Sequence, residues 1–250
     1  MPGHWLLAKM GKRVLRPGGI ELTRVMLDRM AIHSRDSVVE FAPGLGVTAR
    51  LTLGRQPASY TAVERDETAA AEVRRYLNGP DQRCQLGSAE NTGLPDQSAT
   101  VVYGEAMLTM QGTLQKQRIV AEAFRLLKPG GRYGIHELSL TPDDLPEIVQ
   151  EEISHEMSRN IHVGARPLSA RDWRDLLLNA GFRIQSEATA PMRLLEPSRV
   201  ICDEGFFRAL RFVFNVVRTP EARRRVFSMR RMFRKHERHL SAIAFVAIRP

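Results

Sequence analysis

The segment Val38-Val39-Glu40-Phe41-Ala42-Pro43-Gly44-Leu45-Gly46 joins a short apolar strand, predicted over 37–41, to a helix predicted over 47–53. The N–H groups at the start of such a helix are free to bind a ligand, and small residues let that ligand lie against the backbone. The next predicted strand, 59–63, leads into Glu64-Arg65, and an acidic residue at this position can bind ribose hydroxyls. Together the two strand ends predict an adenosine-type ligand at the carboxyl edge of a sheet.

The rest of the chain alternates between short apolar runs and amphipathic helices. This alternation predicts an α/β fold of the Rossmann-like, doubly wound kind, with a seven-stranded, mostly parallel sheet. Helical patterns over 4–16 and 22–32 precede the first strand, and a helical insertion separates the last two strands. We expect the last strand to add to an edge of the sheet in the antiparallel direction. The further predicted strands are 83–86, 99–103, 132–137, 182–190 and 240–248, and the further helices are 67–77, 115–127 and 170–180.

Two classes of nucleotide ligand compete for the loop. Gly44-Leu45-Gly46-Val47-Thr48-Ala49 satisfies the relaxed dinucleotide fingerprint G-x-G-x-x-A, which is typical of NAD(P)-dependent oxidoreductases. A pyrophosphate gains nothing from Glu40 beside the loop, whereas an amino-acid ammonium group or a water molecule would. The helices before the first strand also favour an adenosine-type ligand with an amino-acid group over a dinucleotide, because dinucleotide-binding domains more often start at the fingerprint.

Several ordered motifs over residues 37–186 resemble the class I S-adenosylmethionine-dependent methyltransferases, in particular the small-molecule branch of quinone and sterol C-methyltransferases. The resemblance implies S-adenosylmethionine as cofactor and methyl transfer as activity, with a small, hydrophobic or aromatic acceptor. The motifs are Val38–Gly46, Ala62–Arg65, Gly87–Glu90 with Leu94–Asp96, Ala99–Leu108, Leu127–Arg132, and Arg166–Ser169 followed by Trp173 and Ala180–Phe182.

The same resemblance implies positions for the cofactor. The loop after Phe41 would hold the methionine part, Glu64 would bind the ribose, and Arg65 with the Gly87–Glu90 turn would flank the adenine. The implied cofactor-binding residues are Glu40, Phe41, Ala42, Gly44, Leu45, Gly46, Glu64, Arg65, Ser88, Ala89, Gly104 and Glu105. Three departures from the family pattern, Ala42, Ser88 and Thr109-Met110, leave open a cofactor-binding protein with degenerate catalysis.

Catalysis by such an enzyme rests on alignment of the reactants and on exclusion of water, because the cofactor carries the reactivity. A general base is needed only for an acceptor that arrives protonated. Glu105 and His136, at the ends of two neighbouring strands, are the predicted catalytic residues, with Glu137 beside them. His155 and His162 could line an acceptor pocket, and no metal site is expected.

The net charge of +9 is concentrated in the last part of the chain. Residues 198–250 hold 13 basic and 4 acidic residues, whereas residues 1–197 hold 24 of each. We predict a helical cover at 1–36, a methyltransferase core at 37–197, a basic helical lid at 198–239, and a last core strand at 240–250. The lid prediction requires Phe206, Leu210 and Phe214 to be buried against the sheet. The alternatives are a peripheral membrane contact through 204–238 and, least favoured, a nucleic-acid surface, because no Tyr or Trp is interleaved for base stacking.

The two cysteines and the absence of a long apolar run favour a cytoplasmic protein.

Overall fold

A mixed sheet organises the computed structural model, which describes residues 1–250. The strand order is β3-β2-β1-β4-β5-β8-β7, and a short β6 pairs with β5 off this path. The strands β1 to β6 run parallel, whereas β8 is antiparallel to both of its neighbours. The bounds are β1 Ser37–Phe41, β2 Ser59–Glu64, β3 Gln82–Leu86, β4 Ala99–Glu105, β5 Leu127–Leu140, β6 Leu168–Ser169, β7 Arg183–Pro191 and β8 Leu240–Ile248. The predicted Rossmann-like fold with an antiparallel last strand is confirmed.

Ten helices cover the sheet and its carboxyl edge. None combines the length and the apolar character that crossing a membrane requires. Two 3₁₀ turns, Leu108–Met110 and Glu237–His239, complete the elements. The helices are α1 Gly3–Met10, α2 Gly19–Arg29, α3 Val47–Leu53, α4 Glu67–Arg74, α5 Thr113–Leu126, α6 Glu147–Ile161, α7 Ala170–Asn179, α8 Pro197–Glu204, α9 Phe206–Arg218 and α10 Pro220–Lys235.

The hydrophobic core has three parts. One lies on each face of the sheet, centred on Trp173 of α7 and on Met26 of α2. The third joins α1, α6 and the helices α8 to α10 above the end of β5. This third part makes the helical segments at the two ends of the chain one packed layer.

The strand β8 lies inside the sheet, so the prediction that it adds to an edge is wrong. It pairs with β5 over Leu240–Ile248 and with β7 on its other side. The run Ala242–Ala247 is buried throughout, as expected for a strand covered on both faces. The edge position belongs to β7.

The first helix is shorter than its predicted span of 4–16. It ends at Met10 because Gly11 adopts φ +108°, a left-handed conformation in which glycine caps helices. Residues 12–18 then run as an irregular segment along the carboxyl edge of the sheet. This early stop delivers side chains of that segment to the site described below.

The apolar stripe of α9 is exposed, so the burial expected of a lid is wrong. The exposed fractions of Phe206, Leu210 and Phe214 are 63%, 59% and 57%. The helix packs instead through Ala209, Phe212 and Val216, which belong to the third core. Since α9 carries two apolar faces and only one can meet the core, the smaller face is buried and the larger one faces solvent.

Candidate active site

A cavity of about 390 Å³ opens at the carboxyl edge of the sheet. The loops after β1, β2, β3 and β4 form one side of it, and α1, α6 and α10 form the other. On the sheet side the cavity is lined by Ala42, Gly44, Leu45, Glu64, Arg65, Ser88, Ala89 and Glu105. Elsewhere its lining includes His4, Trp5, Arg13, Arg16, Leu138, Met157, Ile161, Met192, Leu194, Met229 and Phe233. The cavity therefore lies where ligands bind in open α/β sheets.

The loop after β1 turns through three left-handed residues, Ala42, Gly44 and Gly46. A Cβ added to Gly44 would meet no atom within 4 Å, so this face of the backbone is open to the cavity. A Cβ on Gly46 would lie 2.9 Å from the ring of Tyr76, which explains the glycine as a packing requirement. The left-handed φ of +50° at Ala42 explains why a glycine suits that position.

Glu64 lies at the end of β2 with its carboxylate fixed by backbone donors. It accepts hydrogen bonds from the N–H groups of Gly44 at 3.1 Å, Arg65 at 2.9 Å and Asp66 at 3.1 Å. The carboxylate lines the cavity and connects the loops after β1 and β2. It is thus an oriented acceptor for hydroxyl donors in the cavity.

Glu40 lies away from the cavity, which corrects its predicted place beside the ligand. Its side chain is on the sheet face covered by α2, where it accepts hydrogen bonds from Tyr60 and, at 2.6 Å, from Tyr103. Burial raises the pKa of Glu40 to about 7, even though the hydrogen bonds from both tyrosines act in the opposite direction. Glu40 therefore supports the end of β1 from beneath.

Glu105 lies at the end of β4 in a buried ionic cluster and lines the cavity. Its carboxylate is paired with Arg16 and Thr48, and it accepts from Thr23 at 2.6 Å. Burial alone would raise the pKa of Glu105, but attraction to Arg16 and the hydrogen bond from His136 outweigh it and lower the pKa to about 2. Glu105 is a fixed anion, and so weakly basic a carboxylate does not remove protons at neutral pH.

His136, predicted as a catalytic residue, is fully buried and lies outside the cavity wall. Its Nε2 donates to the carbonyl of Pro17 at 2.6 Å, and its Nδ1 lies 2.7 Å from the Glu105 carboxylate. His136 thereby ties the irregular N-terminal segment to the end of β5.

Glu137 holds the turn after β4. Its carboxylate accepts from the backbone N–H groups of Met107, Leu108 and Thr109 at 2.8–3.0 Å, and from the Thr109 hydroxyl. Burial raises its pKa, and these hydrogen bonds oppose the rise. Since Met107 and Thr109 line the cavity, Glu137 shapes the site from behind.

Sequence and structure comparisons agree with this geometry. A family model described as a methyltransferase domain matches residues 39–135. A Haemophilus influenzae protein, itself named only as uncharacterized, is 32% identical over 247 residues, which cover 97% of this chain and 96% of that protein. The chain belongs to the class I S-adenosylmethionine-dependent methyltransferases. The oxidoreductase alternative is therefore set aside.

Solved structures of methyltransferases share the fold. Phosphoethanolamine N-methyltransferase 2 of Haemonchus contortus, in complex with S-adenosyl-L-methionine, superimposes with a TM-score of 0.73 at 15% identity, over 99% of this chain and 57% of that one. A geranyl diphosphate methyltransferase in complex with S-adenosylmethionine gives 0.67 at 12% identity, over 92% and 85% of the two chains. At such identities the likeness shows the fold.

The methyltransferase cavity has features that fit S-adenosylmethionine, the cofactor of the family. The open face of Gly44 leaves room for a ligand against the backbone, and the Glu64 carboxylate is oriented into the same space. Ser88 and Ala89 lie in the wall after β3, where Ser88 Oγ accepts from the N–H of Glu90 at 3.2 Å. Arg65 lies in the wall after β2.

Several residues predicted to contact the cofactor lie behind the cavity wall of the methyltransferase. Phe41 is buried in the core beneath the loop, Gly46 is the N-cap that precedes α3, and Gly104 packs against Met107 and Phe41. The two histidines considered for an acceptor pocket, His155 and His162, are exposed and outside the cavity. Strand alternation accounts for Phe41, because successive side chains of a strand point to opposite faces of the sheet.

The N-terminal segment contributes residues that sequence reasoning did not identify as functional. His4 and Trp5 of α1 line the cavity, and burial together with the nearby Arg65 lowers the pKa of His4. Arg13 and Arg16 reach the cavity from the irregular segment, and Arg16 Nε is buried without a hydrogen-bond partner. Gly11 is the signal that could have placed them, because a helix ending there frees the following residues to run along the edge of the sheet.

Proposed function

We propose that this methyltransferase transfers the methyl group of S-adenosylmethionine to a small, hydrophobic or aromatic acceptor by in-line displacement. The apolar composition of one part of the cavity wall carries the proposal. Every residue that α6, α10 and the segment after β7 place in the wall is apolar. These are Met157 and Ile161, Met229 and Phe233, and Met192 and Leu194.

The chain's own residues bind and orient the reactants in this proposal. The loop from Ala42 to Leu45 would hold the methionine part, Glu64 the ribose, and Arg65, Ser88 and Ala89 the adenine. The cofactor supplies a methyl group activated by its sulfonium charge. The fixed Glu105 anion would lie near that positive charge, and the apolar wall would exclude water.

Neither predicted base is suited to removing a proton from the acceptor. Glu105 stays ionised as the partner of Arg16, and His136 lies behind the wall with both ring nitrogens engaged. This supports an acceptor whose nucleophilic atom needs no base from these two residues. We therefore assign Glu105 and His136 to positioning.

Replacing Glu64 by Ala tests the cofactor assignment. Two charged hydrogen bonds to the ribose, each worth roughly 1.5–3 kcal/mol before compensation by water, would be lost, so S-adenosylhomocysteine should bind at least tenfold more weakly. Calorimetric titration measures this affinity. Because Glu64 also holds the N–H of Gly44, an analogue of S-adenosylhomocysteine without the ribose hydroxyls serves as control and should lose much less. Equal affinity of wild type and Glu64→Ala for S-adenosylhomocysteine would show the ribose assignment to be wrong.

A panel of acceptors tests the acceptor class. With S-adenosylmethionine present, release of S-adenosylhomocysteine should be faster with hydroquinones (reduced quinones), phenols and fatty acids than with phosphorylated amines or amino acids. Ile161→Gln puts an amide into the apolar wall and should raise KM for an apolar acceptor about tenfold, with unchanged affinity for S-adenosylhomocysteine.

The matched control is Ile148→Gln, the same change on the same helix at a side chain that is 76% exposed and outside the cavity. It should leave KM unchanged. Turnover restricted to polar acceptors would contradict an apolar acceptor. So would a KM for the apolar acceptor that is the same in wild type and Ile161→Gln.

A further inference from the structure

The exposed face of α9 is a continuous apolar surface, called here the α9 stripe. Its residues recur at helical spacing, and each has more than half of its surface exposed. Phe207 beside it is 84% exposed. The stripe consists of Phe206, Leu210, Val213, Phe214 and Val217. Contiguous apolar surface of this kind on a folded protein marks an interaction site, whereas single exposed apolar residues do not.

The helix under the stripe is firmly seated. Ala209, Phe212 and Val216 are buried in the core shared by α1, α6 and α10, and Asn215 donates to the carbonyl of Met10 at 2.9 Å. The buried face and the α9 stripe lie on different sides of the helix, so the stripe cannot turn inward without pulling Phe212 out. It is a permanent surface of the folded chain.

Arginines lie along the stripe without acidic partners. Arg208, Arg211 and Arg218 occupy the remaining face of α9, are exposed, and take part in no salt bridge. Other arginines of this region are paired, as Arg230 is with Glu196 at 2.9 Å. The helix α9 contains no acidic residue at all. The three free guanidinium groups therefore give the edge of the stripe an uncompensated positive charge.

The neighbouring helix α10 also exposes unpaired arginines beside an apolar side chain. The exposed face of α10 carries Arg223, Arg224 and Arg231, also without salt bridges, around a Phe227 that is 54% exposed. The two helices pack against each other. Apolar side chains beside unpaired arginines are the pattern of helices that lie in a membrane interface, with the apolar face in the acyl boundary and the cations among headgroups.

We infer that α9, with α10 beside it, docks the protein peripherally on a bilayer that contains anionic lipids. Charge decides against a second copy of this chain, because two stripes in contact would bring the arginines of both copies together without an acid to offset them. An anionic bilayer offers acyl chains for the apolar α9 stripe and negative headgroups for the arginines. The helices α1 and α10, which contact α9, also line the cavity, so the docking surface and the site share these two helices. The inference does not depend on the identity of the methyl acceptor.

Sedimentation of the full chain with vesicles tests the inference. The protein should bind vesicles of 70% phosphatidylcholine and 30% phosphatidylglycerol at low salt, bind pure phosphatidylcholine much more weakly, and lose affinity as salt screens the arginines. Phe206→Ser with Phe214→Ser should weaken binding to the anionic vesicles about a hundredfold. The triple change of Arg208, Arg211 and Arg218 to Gln should have an effect of similar size.

Matched variants separate the surface from general effects. Leu114→Ser with Ile148→Ser replaces two equally exposed apolar side chains outside the stripe, and should bind like wild type. Arg24, Arg171 and Arg183, exposed and unpaired on other elements, when changed to Gln give the same net charge as the first triple variant and should retain most binding. Unchanged melting temperature and S-adenosylhomocysteine affinity show that each variant is folded.

Two results would overturn the inference. One is the absence of binding to anionic vesicles at low salt. The other is a concentration-dependent dimer in analytical ultracentrifugation that Phe206→Ser with Phe214→Ser abolishes, which would make the stripe a contact between copies of the chain.

Discussion

The carboxyl group of Glu40 couples proton binding to the stability of the fold. Its pKa of about 7 lies above the usual value of 4.5 because the folded chain buries it between Tyr60 and Tyr103. A raised pKa means that the folded state holds the proton more tightly than the unfolded state. The contribution of Glu40 is thus fully present below pH 4.5 and is lost as the pH rises through about 7.

Glu40→Gln should remove this dependence, because the amide mimics the protonated acid. Between pH 4.5 and 7.5 the free energy of unfolding of the wild type should fall relative to that of Glu40→Gln, by on the order of 3 kcal/mol. Urea unfolding at four pH values in this interval measures the difference. Glu151→Gln, at an exposed acid without a salt bridge, should keep the wild-type slope. Parallel curves for wild type and Glu40→Gln would contradict the assignment.

Glu105 and His136 show what sequence reasoning reaches at the level of single residues. Their place at neighbouring strand ends follows from the strand pattern, and the structure pairs them in register. Their roles depend on Arg16, Pro17 and Thr23, which arrive from the N-terminal segment. No local sequence pattern indicates which distant segment will neutralise a buried carboxylate. Glu105 was therefore predicted as a base, whereas the structure shows a fixed anion.

Two glycines of the loop between β1 and α3 differ in purpose, and this gives a paired prediction. Gly44→Ala should cost about 1 kcal/mol of stability for its left-handed backbone, since its Cβ meets no protein atom. That Cβ would project into the space assigned to the cofactor, so the affinity for S-adenosylhomocysteine should fall more than tenfold.

Gly46→Ala should show the reverse balance. Its Cβ would collide with the ring of Tyr76 in addition to the backbone cost, so the loss of stability should exceed that of Gly44→Ala. Gly46 lies outside the cavity, and the affinity of the folded fraction should change less. Urea unfolding measures the free energy of unfolding of each variant, and calorimetric titration measures its affinity for S-adenosylhomocysteine. Wild-type affinity in Gly44→Ala would mean that the open face does not receive the cofactor.

Periodicity identified α9 as a helix but not the face by which it packs. Phe206, Leu210 and Phe214 form the larger apolar face, and sequence reasoning assigned the larger face to the core. The structure buries the smaller one around Phe212, where the small Ala209 permits close packing. Amphipathic periodicity identifies apolar faces, and which of two meets the core depends on the partners in the fold.

The alternation of strands and helices was sufficient to predict the sheet, its mostly parallel direction and the ligand edge. It was insufficient to place β8, because pairing between β5 and β8 joins segments far apart in sequence. The apolar run of Ala242–Ala247 already carried the signal of a central strand. The cavity was likewise predicted only in part. Its loops on the sheet side follow from the strand pattern, whereas the wall formed by α1, α6 and α10 depends on long-range packing in the third core.

The central position of β8 also has a consequence for biosynthesis. On the ribosome, β7 and α7 are complete well before β8, yet β8 is the only strand with which β7 pairs. Until β8 is made, one side of β5 and the whole of β7 present unpaired backbone groups, the kind of surface on which nascent chains aggregate. A chain interrupted between α10 and β8 would therefore carry all of the cofactor loops and still be unable to close its sheet.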